Sequence, residues 1–291
     1  MDNLVFWYFW VFISMKKKVL PSPPAIRPIR HIPFPEVEQV KLSNGLVCYH
    51  TNMGTQELMR IEYVAWAGRP YERHPLVARA TASLLKEGTL HRSGAEIAEH
   101  FDYYGASMHS SFQLDTGNLS LYSLNKHLPA VLPMFIEVLC EPAYHDADLQ
   151  AYIRRKQHSM LEDLSKADVL AYRQITAAFF GEEHPYGYNS TAAAYQLLNT
   201  DWLKEHHRRC FHAQNGFVLI SGRFDDATLE QVHTALLRIP PGSPVEPVDM
   251  QISASTPEYI HIPHAHALQS AIRMGQPFFH VPTRMRMDFT Y

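Results

Sequence analysis

The sequence predicts an α+β domain, and three observations carry that expectation. Segments that alternate apolar and polar residues crowd between Glu36 and Leu124. Helical periodicity then dominates from Leu128 to Cys210, and one more strand, Gly216 to Ser221, follows the helices. Strands first, helices later and a strand again form an α+β layer rather than the βαβα alternation of a dinucleotide-binding fold.

Taken in order, Glu36 to Leu42 and Leu46 to His50 read as two strands joined by a tight turn at Asn44-Gly45. Met59 to Ala67 is a third strand. A helix is expected from Pro75 to Lys86, with Pro75 in its first turn and Gly88 just past its end. Ser93 caps the next helix, and Glu96 three residues on completes a capping box; this helix stops at Gly105. Ser107 to Leu114 and Thr116 to Leu124 alternate like paired strands with Asp115 near the turn. The segments LPAVLPMFIEVLCEP, DADLQAYIRRKQHSMLEDL and VLAYRQITAAFF are helical, as are Asp201 to Cys210 and Asp225 to Leu237. IPPGSPVEPVDM, from Ile239, is a linker by composition. Beyond it EYIHIP and ALQSAIRMGQ read as two strands that open a second unit. The expected organisation is a leader and extended tail over 1–35, a main unit over 36–239, a linker over 240–257 and the truncated start of a second unit over 258–291.

Composition narrows the function. Of 291 residues 46% are hydrophobic and 19% charged, with a net charge of -3, so nothing electrostatic points to nucleic acid. Cys48, Cys140 and Cys210 are far apart and odd in number, which suggests neither a disulfide framework nor a zinc ribbon. The apolar run Leu4 to Ile13 is short of the roughly 20 residues a membrane span needs. Lys16, Lys17 and Lys18 follow that run instead of preceding it, unlike a signal peptide. Two readings of residues 1–14 stand: an extension ahead of a start at Met15, and a weak membrane-surface anchor. With no signal peptide and no disulfide pattern, the expected compartment is the cytoplasm.

Motif chemistry is sparse. The sequence has no GxxxxGK[ST], GxGxxG or GxSxG. Its 18 histidines invite a metal hypothesis, yet no two stand four apart as ligands on one helical face would. His261, His264 and His266 cluster, but Pro263 argues against a helix there. Glu96-Ile97-Ala98-Glu99-His100 looks like a metallopeptidase motif lacking its first histidine; the simpler reading is the solvated face of a capped helix.

Together GLVCYH, RIEYVAWAGRPYE, the helix ending in KEGT, SGAEIAEHFDYYGAS, FIEVLCEPAY, EEHPYG and LNTDWLKEHHRRCFHAQNGFVLISGRFD run in the order found in the pitrilysin/insulinase (M16) metallopeptidases. The chain resembles that family, which includes the mitochondrial processing peptidases, over roughly Val37 to Arg238. The resemblance implies a LuxS/MPP-like metallohydrolase fold, an antiparallel sheet covered by helices, and one half of a two-half subunit. It also implies an inverted zinc motif, His-x-x-Glu-His, on the helix before Gly88-Thr89. Counting back places its three positions at Arg79, Ala82 and Ser83, and the third ligand, a glutamate on a later helix, near Ser159. None of these residues is a zinc ligand or a general base, so no catalytic residue and no zinc are expected.

At about 100° per residue, Val77, Ala80, Thr81, Leu84 and Leu85 form a core stripe, and Arg79, Ala82, Ser83 and Lys86 lie opposite. Arg79 and Lys86 read either as a solvated basic face or, for Arg79, as positive charge offered to an acidic group on a peptide or partner. His184-Pro185-Tyr186-Gly187 reads as a packed turn. The resemblance implies that peptides add by edge pairing to the strand holding Ser107, Met108, His109, Ser110 and Ser111. The expected function is therefore a non-catalytic subunit that pairs with an active M16-type subunit and contacts peptide or unfolded-protein substrates. The alternatives are a truncated peptidase fragment without a function of its own, and an active metalloendopeptidase with an unconventional site.

Overall fold

The computed structural model describes residues 35–248, 259–263 and 269–276, and the compact unit begins at Glu36. The leader and extended tail fall outside the described residues, as do His264 and His266. Six strands form one sheet: β1 (Glu38–Lys41), β2 (Val47–Asn52), β3 (Leu58–Ala65), β4 (Ser107–Phe112), β5 (Gly117–Leu124) and β6 (Gly216–Gly222). Their order across the sheet is β1-β2-β6-β3-β5-β4, which leaves β1 and β4 as its edges. Neighbours are antiparallel apart from β2 and β6, which run parallel with Val47 opposite Phe217. The sheet is thus antiparallel as expected but for this one pair, which arises because β6 returns from the far end of the chain and enters between β2 and β3.

Among the described residues eight α-helices accompany the sheet: α1 (Val77–Leu84), α2 (Gly94–Tyr103), α3 (Leu128–Cys140), α4 (Asp146–Leu164), α5 (Ala167–Phe180), α6 (Ala192–Leu197), α7 (Thr200–Cys210) and α8 (Asp226–Leu236). Local signals explain several of their ends. Ser93 accepts from the Glu96 amide while Glu96 reaches back to the Ser93 amide, which is the capping box the sequence shows. Gly94 follows because a Cβ there would lie 2.6 Å from the Glu87 carbonyl. Asn199 and Asp225 cap α7 and α8 by accepting from the Trp202 and Thr228 amides.

The core lies between sheet and helices. From the sheet, Ile61, Tyr63, Leu119, Leu121 and Val218 are fully buried, and α3 contributes Val131, Phe135, Ile136 and Val138. Each such side chain contributes about 1.5–3 kcal/mol on leaving water. His206 and His207 on α7 belong to this core: their Nε2 atoms donate to the carbonyls of Ala67 (3.0 Å) and Leu139 (2.9 Å). Burial holds both imidazoles neutral, at about 4.

Two expectations change. The helix starts at Val77, so Pro75 precedes its first turn; buried Leu76 stands between them as N-cap in the left-handed region, φ 71°. Tyr259 to Pro263 and Ser270 to Gln276 are irregular rather than strands. The apolar alternation that suggested pairing has no neighbouring strand to pair with among the described residues. Gly275 instead passes close to Phe179 and Ile175 of α5.

Candidate functional site

Helix α1 is the centre of the site, and its start is tied down by side chains from two segments, 69–72 and 184–188. The Glu72 carboxylate accepts from the Tyr188 hydroxyl (2.5 Å) and from the Ala78 amide (3.0 Å). The same hydroxyl accepts from the Leu76 amide (3.2 Å), which meets one of the amides that a helix start leaves unpaired. Arg69 stacks on the Tyr188 ring and donates to the carbonyls of Pro185 and Tyr188, both at 3.1 Å. The His184 to Gly187 segment is thus a packed turn. Gly187 is required there, since a Cβ would sit 1.9 Å from the Gly181 carbonyl. Burial pushes the Glu72 carboxyl up to about 7, against the opposing pull of Tyr188, the Ala78 amide and Arg69.

The far end of α1 is held as well. Thr89, in the KEGT segment, donates to Glu137 of α3 (2.6 Å) and accepts from the Arg92 amide (3.0 Å). Arg92 also pairs with Glu137. Tyr144, the other non-glycine residue with a left-handed backbone among those described, points its hydroxyl at the Thr81 carbonyl (3.4 Å).

Between these ends lie the positions to which the resemblance assigns zinc chemistry. The expected core stripe is buried in full, but the opposite face is not simply solvated. Ala82 is only 1% exposed, because β4 lies against it: Ser110 donates its hydroxyl to the Ala82 carbonyl. Arg79 and Ser83 are half-buried, and Lys86 alone is open to solvent. The Arg79 guanidinium lies 5.2 Å from the centre of the Phe112 ring on β4.

Across from α1 stands α4. Tyr152 of α4 is 2% exposed, and its hydroxyl has no well-formed hydrogen-bond partner although Ser83 is beside it. Lys156, one turn on, lies within electrostatic reach of both Arg79 and Arg155, with its ammonium over the Tyr152 ring at 5.7 Å. Burial lowers the Lys156 ammonium, with the Arg79 and Arg155 charges adding to the effect and Asp163 opposing it. Ser159 sits on the same face of α4 as Tyr152 and Lys156, one to two turns further along, and is exposed. Sequence reasoning missed Tyr152 and Lys156. Stepping back along α4 by three and seven residues from Ser159 would have found them.

A catalytic zinc needs three nitrogen, sulfur or carboxylate ligands and an open position. Arg79 is a permanent cation, Ala82 has no donor atom and Ser83 and Tyr152 offer hydroxyls, so this set does not fit zinc. Among the described residues no three His, Cys, Asp or Glu side chains come together elsewhere. Glu96 of the near-motif on α2 serves the cap, and His100 donates to the Ala130 carbonyl at 3.1 Å.

Strand β4, beside α1, is an edge of the sheet with no further strand on it among the described residues. Gln113 donates to the Thr116 carbonyl (2.8 Å), and the alternation of an antiparallel ladder then directs Ser111, His109 and Ser107 toward β5. The amides and carbonyls of Met108, Ser110 and Phe112 point outward.

No family model matches the sequence, and no curated protein matches it. Solved structures do match in fold. A peptidase M16 inactive domain from Pseudomonas fluorescens is 22% identical, with a TM-score of 0.66 over 73% of this chain and 54% of that one. A protease from Helicobacter pylori is 15% identical, with a TM-score of 0.68 over 75% of this chain and 55% of that one. The periplasmic protease PqqL from Escherichia coli is 15% identical, with a TM-score of 0.65 over 75% of this chain and 25% of that one. The chain thus has the fold of M16-type peptidases and spans about half the length of the first two structures.

Proposed function

We propose that the protein is a non-catalytic M16-type subunit that pairs with an active, zinc-bearing subunit and presents part of the surface on which peptides are held. The observation that carries this reading is the state of α1. The helix is anchored at both ends and lies against a strand edge left unpaired among the described residues, and the positions to which the resemblance assigns ligand, base and ligand carry Arg79, Ala82 and Ser83. We read this as a zinc site whose chemistry is lost and whose frame is kept. Edge pairing to β4 needs only the outward amides and carbonyls, so peptide contact requires no metal.

The experiment mixes the purified chain with a homologue that retains His-x-x-Glu-His. It follows complex formation by size-exclusion with light scattering, and peptide cleavage in the same fractions. A heterodimer that cleaves faster than the homologue alone is expected. Neither a complex nor any change in cleavage would overturn the subunit reading.

We further place the protein in the cytoplasm, a reading supported by three cysteines that pair with nothing among the described residues. No helix among those residues is long and apolar enough to cross a membrane. Recovery of the tagged chain from a periplasmic fraction would refute the cytoplasmic placement.

A further inference from the structure

The middle of α1 does not fit zinc, yet its surroundings carry a charge pattern of their own. Arg79, Arg155 and Lys156 bring three cations together around Phe112 and Tyr152, and none of them has a carboxylate within ion-pair distance among the described residues. The nearby Asp163 is engaged by Lys166 at 2.8 Å. Arg79 and Lys156 are half-buried and Arg155 is exposed, and like charges this close are unfavourable unless something of opposite sign meets them. Tyr152 adds a buried hydroxyl at the same spot, beside Ser83 but without a well-formed hydrogen bond.

This cluster stands on the helix-facing side of β4. The β4 side chains on that side are Met108, which is buried, Ser110, which bonds to Ala82, and Phe112, which underlies Arg79. In any sheet, residues directly opposite each other project to the same face. A strand added at the β4 edge would therefore point alternate side chains toward α1 and α4, where the cations are.

We propose that the strand which adds to β4 carries an acidic side chain on its helix-facing side, and that Arg79, Arg155 and Lys156 select it. This rests on the edge-pairing part of the function proposed above and names the class of segment that pairs there. Arg79 and Arg155 can each present a two-pronged donor to a carboxylate, and Lys156 supplies a point charge.

The test uses the full chain and three short labelled peptides of one Val/Thr-rich sequence, followed by fluorescence anisotropy. They carry Glu, Gln or Lys at two adjacent central positions, so that either register turns one of these residues toward the helices. The Glu peptide is expected to bind about tenfold more tightly than the Gln peptide and the Lys peptide more weakly than either. The ratio of Glu to Gln affinity should fall toward one in Arg79→Gln/Lys156→Gln, in the exposed-site variant Arg155→Gln, and at high salt. Ser110→Pro, which removes an outward amide, should weaken all three peptides. Equal affinity for Glu and Gln peptides, with both still blocked by Ser110→Pro, would overturn acid selection and leave edge pairing standing. An acid preference that survives in the Gln variants would overturn the assignment to these cations. If none of the peptides binds, edge pairing itself fails, and the selection with it.

Discussion

The start of α1 and its middle are a few residues apart and are built on opposite principles. At the start, Glu72, the Tyr188 hydroxyl and the Leu76 and Ala78 amides satisfy one another, so that a bulky residue is held at φ 71°. A left-handed conformation costs such a residue about 1–2 kcal/mol, and it persists because the surroundings over-determine it. In the middle, three cations lack a carboxylate partner among the described residues, and the buried Tyr152 hydroxyl has no well-formed hydrogen bond. Order in the helix therefore comes from its anchors, and the middle is free to vary in chemistry without loss of the frame. The most direct way to break this contrast is Glu72→Ala, which leaves the Tyr188 hydroxyl and the Ala78 amide unpaired. It should cost about 3–4 kcal/mol in urea unfolding at neutral pH. A loss below about 1 kcal/mol would show that the anchor does not hold the helix.

The same carboxyl makes the anchor sensitive to pH. Burial raises it from 4.5 to about 7 in the folded chain, so the protein binds this proton more tightly folded than unfolded. The stability it contributes is complete below pH 4.5 and is lost as pH rises through about 7. His206 and His207 act in the other direction: lowered from 6.5 to about 4, they contribute stability above pH 6.5 that is lost as pH falls. Glu72→Gln keeps an uncharged side chain of the same shape and removes only the first of these. Relative to the wild type it should cost about 2 kcal/mol more at pH 5 than at pH 8, the histidines cancelling in the difference. Urea midpoints at the two pH values decide it, and a cost independent of pH would refute the linkage.

How much of this contrast the sequence reveals depends on how local each signal is. The Ser93–Glu96 capping box, the Asn44-Gly45 turn with Gly45 at φ 88°, and the strands around them need only neighbours in sequence. The core stripe of α1 was legible from its period. Burial of Ala82 was not, since periodicity identifies one apolar face and cannot report that β4 covers another. The parallel pairing of β2 with β6 joins residues 47 and 217, and no local pattern encodes it. The resemblance points to Ser159 on α4, which is exposed; Tyr152 and Lys156 on the same helix lie beside Ser83 and Arg79, and no local pattern marks them. The Glu72–Tyr188 anchor joins residues 116 apart, and only the HPYG turn hinted at it.

If the frame is kept, the middle of α1 should accept the chemistry it lacks. Arg79→His/Ser83→His places two imidazoles one turn apart, and Tyr152→Glu brings a carboxylate from α4 beside them. The triple variant should be less stable than the wild type without metal, because a carboxylate replaces a side chain that is 2% exposed. Zinc should then restore about 1–2 kcal/mol, read as a rise in thermal midpoint that the wild type does not show. A variant whose midpoint ignores zinc would mean that α1 and α4 do not approach as a zinc site requires.

The smallest expected effect sharpens the contrast most. Arg79 lies at the middle of the helix, half-buried, with one cation–π contact to Phe112 and no ion pair among the described residues. Removing its charge gives up that contact, worth about 0.5–1 kcal/mol where the site is open to water. It also relieves repulsion with Lys156, which works the other way. Arg79→Gln should accordingly change unfolding stability by no more than about 0.5 kcal/mol in either direction, and the Lys156 ammonium should rise toward its ordinary value. Nitrogen NMR of the labelled lysine side chain reads the second effect, and urea unfolding the first. A large loss of stability would make Arg79 a structural residue like Glu72. A near-neutral change with a moved Lys156 would make it a charge maintained at the cost of its neighbour, as a residue kept for binding should be.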